Sequence, residues 1–585
     1  MTKLAFHIDV TQPAERQLRV RATWSEPGAD RVEFFLPTWT PGSYLLREYA
    51  RHLSSVRAYV PGTDRELDCR KVAKNRWSVV GAAAGVELRY RVYAHELTVR
   101  TADVDAQHAY WNHTCVLLWP CGQRDAAASI VVDHPTDWSL SCSLPAEASA
   151  RDGHRRCTLS ASNLDEALDA PVLIGRTERL EWQVDGVDHA IELDGLAAVR
   201  PPATLTEDLA AIVRAARDVF GGDLPYPRYV FQALFAGDGY GGLEHRDSST
   251  LLMPRTSLTT TKGYRDFLGL AAHELFHAWN VKRMRPVEFW DYDYEAENYT
   301  RLLWLMEGWT AYYDDLLVTR AGLMSHQDYC VAMAKNVQGM RASPGRLVLS
   351  LEDSSFDAWI RLYRPDENTR NSSQNYYGNG AVAAMCLDLG IRRATDGERS
   401  LDDVLRALWQ STYRQGRGYE VEDVHRAITE VAGQELVPML VRLVSGALDP
   451  ELGGWLEDVG LRLEAHEAGK PHLGVALKAG TTKVASVTRD GPACRGGVAP
   501  ADELLAIQGL RVASNTWQTV FGSVAQAGEP VALLVSRRGV VRTLEVTPGE
   551  SPGTAKLVLD PSPTPAQLRS RESWLGAEKH GAGER

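Results

Sequence analysis

The sequence predicts a multidomain α+β protein, built in the order β, then α, then a small β module. Three observations predict it. The 585 residues exceed the roughly 250–300 that one hydrophobic core organises. The first 200 residues hold short β-branched and aromatic runs separated by Gly, Pro and Asp. From about residue 201 apolar positions recur with helical period, and short strand patterns return from 470 to 548. The expected domains are an N-terminal β-sandwich-like domain over 1–200, a mainly α domain over 201–455, a small β module over 465–550 and a flexible tail over 551–585.

The individual elements follow from local pattern. "RVEFFLP", "RWSVVG", "GVELRYRVYAHELTV" and "ASIVVD" read as strands of the first domain. At "RPPATLTEDLAAIVRAARDVFG" the character changes. Thr204 or Thr206 can cap a helix whose apolar residues follow a 3.6 period. Helical patterns then cover 263–280, 299–321, 325–341, 380–394, 400–414 and 421–432. They break at "SGALDPELGGW". "HLGVAL", "KVASVT", "ELLAIQ", "VALLVSRRG" and "RTLEVT" read as strands again. From Ser551 onward Pro, Gly, Ser and charge outweigh apolar residues, which is the basis for expecting a loose tail.

Composition narrows the function classes. Hydrophobic content of 44% and charged content of 24% are those of a globular protein. A net charge of −12 argues against a nucleic-acid partner and leaves no basic patch for a membrane surface. The N-terminus lacks the apolar core of a signal peptide, and no run reaches the roughly 20 residues a bilayer needs. The eight cysteines, at 69, 115, 121, 142, 157, 330, 386 and 494, form no CxxC pair. They read as reduced thiols in a cytoplasmic protein.

The stretch "AAHELFHAWNVKRMRP" carries the chemistry. Leu268, Ala272, Leu275 and Trp279 form one apolar helical stripe. His273 and His277 are four apart, so both imidazoles emerge on one face and can take two corners of a tetrahedral zinc site. Glu274 lies about 100° around the helix, placed to take a proton from bound water. In "LLWLMEGWTAYYDDLL", Leu302, Met306, Trp309 and Tyr313 form an apolar face, and Glu307 lies on another side. A carboxylate in such a stretch is costly to bury unless a cation satisfies it. Two histidines and one glutamate, with a fourth position open, are the ligand set of a hydrolytic zinc site. In "YGGLEHRDSS", Gly241 and Gly242 allow the backbone to approach a ligand closely. Taken alone, Glu244 is also readable as a surface charge, and Tyr376 and Tyr377 as aromatic packing at a helix start.

These motifs together resemble the glycyl aminopeptidase family of gluzincin metallopeptidases. The resemblance is carried by "HELFHAWNVKRMRP", "ENYTRLLWLMEGWTAYYDDLLVTRAGL", "YGGLEHRDSSTLL", "NYYGNGAVAAMCLDLGIR", "LPTWTPGSYLLREYA" and "VRTADVDAQHAYWN". It implies a thermolysin-like catalytic domain behind the β domain and a PDZ-like module after it. It implies one zinc ion per chain, held by His273, His277 and Glu307, with Glu274 as general base. It further implies that Glu244 grips the substrate's free α-amine, although His245 stands where larger related families have Asn. Tyr377, in a Tyr-x-x-Gly pattern, becomes the expected oxyanion donor. Small first residues, Gly and Ala, are the expected preference. The loop Trp39–Tyr44 and Asn112 read either as packing features or as closures of the site.

"HLGVAL" resembles a PDZ carboxylate loop and strand, in which backbone around Leu473, Gly474 and Val475 would receive a peptide C-terminus. The leading expectation is therefore a zinc aminopeptidase acting on peptides with a free N-terminus. Two others stand beside it. One is a zinc endopeptidase of the same chemistry. The other is a PDZ peptide-binding scaffold with a vestigial zinc site.

Overall fold

The computed structural model describes residues 3–151 and 153–578. They form two units, one made of residues up to Asn298 together with Leu408–Glu420, the other of Tyr299–Ala407 and Val421 onward. No helix among the described residues is long and apolar enough to cross a membrane.

In the first unit, strand Leu4–Asp9 alternates Leu4, Phe6 and Ile8 inward, the period-two pattern of a half-buried strand. It pairs antiparallel with Gln17–Trp24 and parallel with Ala128–His134. It sits inside an eleven-stranded sheet, and a separate four-stranded sheet contains Ala102–Val104, His108–Trp111 and Val172–Gly175. The predicted boundary at residue 200 moves. Glu178–Val184 and Val187–Asp194 belong to a different, five-stranded sheet, because Val187–Asp194 pairs parallel with Arg228–Ala236. Two neighbouring strands of one sheet cannot be divided between domains without cutting their hydrogen-bond ladder.

That five-stranded sheet ends on the short strand Gly241–Glu244, which among the described residues pairs only with Ser248–Pro254. Helix α1 (Leu205–Val219) and helix α2 (Thr261–Phe276) belong to the same unit. Thr204 stands at the N-cap of α1, yet its hydroxyl bonds the Asp208 carboxylate rather than a backbone N–H.

The second unit is helical and then β. Helix α3 (Gly308–Arg320) and helix α4 (Gly378–Ala394) cross at a pair of glycines. A Cβ on Gly308 would lie 2.6 Å from the Gly380 Cα, so only glycine permits that approach. The strands at Val475–Leu477, Val484–Val487, Glu503–Ile507, Val531–Arg537 and Val540–Val546 fall where the sequence predicts them. They share a core with Leu473, Phe521 and Leu533.

The tail does not behave as a loose segment. Thr554–Leu559 pairs antiparallel with Leu461–His466, and Pro565–Leu575 forms helix α5 with a complete capping box at Thr564. Trp574 and Leu575 are wholly buried. The buried apolar residues of this stretch, Ala555, Leu557, Trp574 and Leu575, are few, and an average over composition hides them. Residues 579–585 lie outside the described residues.

Candidate active site

Helix α2 begins at Thr260, whose hydroxyl accepts from the Gly263 N–H at 3.1 Å. The predicted apolar stripe, Leu268, Ala272, Leu275 and Trp279, is buried. The helix ends at Phe276 rather than running to 280, and His277 is its C-cap. The chain then folds back, with Lys282 N–H donating to the His277 carbonyl at 2.9 Å. His277 keeps helical dihedrals, so the spacing argument still holds. The His273 and His277 ring centroids are 4.8 Å apart.

The tautomer of His277 is set locally. Its Nδ1 lies 2.7 Å from the Asn280 carbonyl oxygen, which can only accept, so Nδ1 carries the proton. Nε2 is then the lone-pair atom, as a metal-ligating histidine requires. The residues present therefore fit a divalent metal of the zinc type.

Two carboxylates join this histidine. Glu244, Glu274 and His277 bring ligand atoms within 4.8 Å of one another. Both glutamates are only 4% exposed. Glu274 is seated against the edge strand, where a Cβ on Gly242 would fall inside its carboxylate. The Gly242 carbonyl accepts from the Arg100 guanidinium at 3.3 Å, and a Cβ on Gly241 would lie 3.4 Å from that same guanidinium. Glu244 is seated against Gly42 in the same way.

Behind the site lies a charged network that sequence reasoning missed. His245 Nδ1 is 3.1 Å from Asp169 Oδ1, and Lys282 donates to the same oxygen at 2.8 Å. Burial works against the Asp169 anion, but Lys282 and His245 outweigh it and hold the carboxyl below its usual range. Glu244 is among the negative charges that, with Asp169, keep the buried Lys282 protonated against its desolvation. The signal was a lysine inside the otherwise buried run after His277, and only the fold reveals its partner.

In the second unit, Glu307 sits between Leu303–Met306 and α3 and is 2% exposed. Its carbonyl accepts from Ala311 N–H at 2.7 Å. Tyr377 is the N-cap of α4, partly exposed, with its hydroxyl 3.2 Å from that of Tyr363. Tyr376 is fully buried and stacks on Tyr377 at 4.9 Å. Burial, then the charges of Tyr363 and Glu307, push the Tyr376 hydroxyl's pKa far up. Leu473 is buried, and Gly474 adopts φ of +75°, the left-handed region that favours glycine. Asn112 is a packing feature. Its amide donates to the Val99 carbonyl at 2.9 Å from a fully buried position.

Comparison with known proteins defines the class first, and the class is peptidase. Residues 266–383 match the M61 glycyl aminopeptidase model, and residues 5–176 match the Peptidase M61 N-terminal domain. Both segments are thus similar to parts of the M61 peptidase family. An aminopeptidase N family protein from Idiomarina loihiensis is similar over 98% of this chain and 100% of its own, with 28% identity and a TM-score of 0.90. An M1 zinc metallopeptidase from Deinococcus radiodurans, solved as a variant bound to a Tyr-Ser-Ala substrate, covers 77% of this chain and 94% of its own at 19% identity and a TM-score of 0.49. Legionella pneumophila aminopeptidase A, solved with aspartic acid, covers 80% of this chain and 51% of its own at 13% identity and a TM-score of 0.49. Those last two scores are too low to bear on the site. No curated protein matches.

Proposed function

We propose that this protein is a zinc-dependent aminopeptidase that removes small N-terminal residues, Gly and Ala, from peptides. The observation that supports it most is the convergence of Glu244, Glu274 and His277, with the His277 proton engaged by Asn280. The M61 matches and the Idiomarina aminopeptidase N family protein support the same reading.

One zinc ion would be held by His273, His277 and Glu307. When bound, zinc supplies Lewis acidity toward the scissile carbonyl and lowers the pKa of water at the site. Glu274 takes the proton of the attacking water and passes it to the leaving amine. The hydroxyl of Tyr377 donates a hydrogen bond to the oxyanion, an interaction worth about 3 kcal/mol of barrier in comparable sites. Glu244 pairs with the substrate ammonium, so a chain with a free N-terminus presents its first peptide bond for cleavage. The edge strand Gly241–Glu244 offers backbone along which a short peptide can add.

Metal analysis and one variant test this. Zinc is expected at one equivalent per chain. Glu274→Gln should retain that zinc and lose roughly 10²–10⁴-fold in kcat on glycyl and alanyl substrates. Full hydrolysis by Glu274→Gln would refute the mechanism. Cleavage of N-acetylated peptides would instead favour the endopeptidase. The module over 465–550 is proposed to be PDZ-like, with Leu473, Gly474 and Val475 receiving a peptide C-terminus. Its register, with Val475–Leu477 paired only to Val484–Val487 among the described residues, leaves the other edge of that strand for such a peptide.

A further inference from the structure

The N-terminal β region supplies more than a scaffold to this site. Thr40, Pro41, Gly42 and Ser43 form a tight turn closed by the Ser43 N–H donating to the Thr40 carbonyl at 3.0 Å. Proline at the second position and glycine at φ of +89° at the third are the signature of a type II turn. Gly42 is where this turn meets Glu244. An added Cβ would overlap both carboxylate oxygens and the Cδ of Glu244. The backbone of the turn, not a side chain, is therefore the wall on which that carboxylate rests.

The turn is fixed from both sides. Before it, the Trp39 indole N–H donates to the Asp293 carbonyl at 2.8 Å, and Thr38 N–H donates to the Tyr294 carbonyl at 2.8 Å. After it, the Ser43 hydroxyl accepts from the Arg47 guanidinium at 2.8 Å, and Tyr44 stacks on Phe289 at 6.0 Å. Trp39, Thr40, Ser43 and Tyr44 are all buried. This much anchoring exceeds what a surface turn needs. A glutamate has three side-chain torsions, and freezing them costs entropy that a rigid wall removes before substrate arrives.

We propose that the Pro41–Gly42 turn is a positioning element for amine recognition, holding the Glu244 carboxylate in the geometry that binds the substrate's α-ammonium. This rests on the reading of Glu244 as the amine anchor. The turn acts through Glu244 and touches no reacting atom, so its effect belongs in substrate binding rather than in the chemical step.

A double-mutant cycle tests it in the full-length, zinc-loaded enzyme, with alanyl nitroanilide and its N-acetyl counterpart as probes. Gly42→Ala should raise KM for the free-amine substrate by about tenfold or more while kcat changes by less than about threefold. In the Glu244→Gln background the same substitution should add no further rise, because the two act as one unit. An equal rise in both backgrounds, or none in either, overturns the proposal. Should Gly42→Ala not fold, Ser43→Ala takes its place in the cycle. It removes the Arg47 anchor without adding an atom, and a KM rise of a few-fold that vanishes with Glu244→Gln is expected. The two layers separate cleanly. If Glu244→Gln keeps the wild-type KM and the discrimination against the N-acetyl substrate, the amine-anchor reading fails and the proposal with it. If Glu244→Gln loses that discrimination while both turn variants keep wild-type KM, only the role of the turn is refuted.

Discussion

At the scale of single residues, two glycines matter for what they lack. Gly242 leaves room for the Glu274 carboxylate, and a methyl group there would occupy the same space. Gly242→Ala should therefore displace the proposed base and lower kcat about 10²-fold, with zinc content unchanged, as metal analysis and steady-state kinetics would show. The proximity of glycines to the site is legible in "YGGLEH", but the carboxylate each one accommodates is not. Gly42 and Glu244 are distant in the chain, and no local pattern links them. His108 makes a second residue-scale case. It lies between Asp194, at Nδ1, and Asp103, at Nε2 3.0 Å away. Burial disfavours its charge, but these two carboxylates overrule burial and hold its pKa at about 10. Since that exceeds the unfolded value of about 6.5, the stabilisation is complete below that pH and fades as pH rises through about 10. His108→Gln leaves two buried carboxylates without their shared cation and should cost about 3–5 kcal/mol near neutrality. Urea denaturation at neutral and alkaline pH would show the difference between variant and parent shrinking as the pH climbs.

At the scale of elements, helix α2 was largely legible because its pattern is local. An apolar stripe and two histidines at one helical turn need no tertiary information, whereas its Thr260 cap emerged only in the structure. Its end was not legible. Ala278 and Trp279 continue the helical pattern, and the chain turns because the Asn280 carbonyl is engaged by His277 Nδ1. Helix α5 shows the reverse case. Its composition is that of a disordered tail, yet Trp574 donates from its indole N–H to the Tyr312 hydroxyl at 2.7 Å, and Tyr312 donates in turn to Asp388 at 2.6 Å. Arg320 closes the arrangement by donating to the Trp574 carbonyl at 3.0 Å. Two burials and one hydrogen-bond chain hold this segment in place, and no windowed average detects that. Trp574→Ala should remove about 3–5 kcal/mol of stability, with Tyr312 left lacking its donor, as thermal and chemical unfolding would register.

At the scale of the whole molecule, the first unit is not continuous in sequence. Leu408–Glu420 belongs to it although the flanking segments belong to the second unit. Trp409 packs on Phe220 at 5.9 Å, and Phe220 stacks on Trp279 at 5.1 Å, two residues beyond His277. Tyr419 exchanges backbone hydrogen bonds with Arg285 and Val287 at 3.0 and 2.9 Å. A fragment ending at residue 298 should therefore lack fixed aromatic packing, seen as a lost near-ultraviolet dichroism signal, and adding 408–420 through a linker should restore it. The order β, α, β was readable from period and composition, but this return of a short segment was not, since nothing in its own residues names its neighbours. Helix α5 carries a last consequence, for biosynthesis. Chains emerge from the ribosome N-terminus first, and every proposed catalytic and zinc-binding residue is translated before Trp574. Until that indole arrives, the interior around Tyr312 and Asp388 has no lid. The packing around Tyr312 and Asp388 is thus completed only after the helices that carry those two residues have been made.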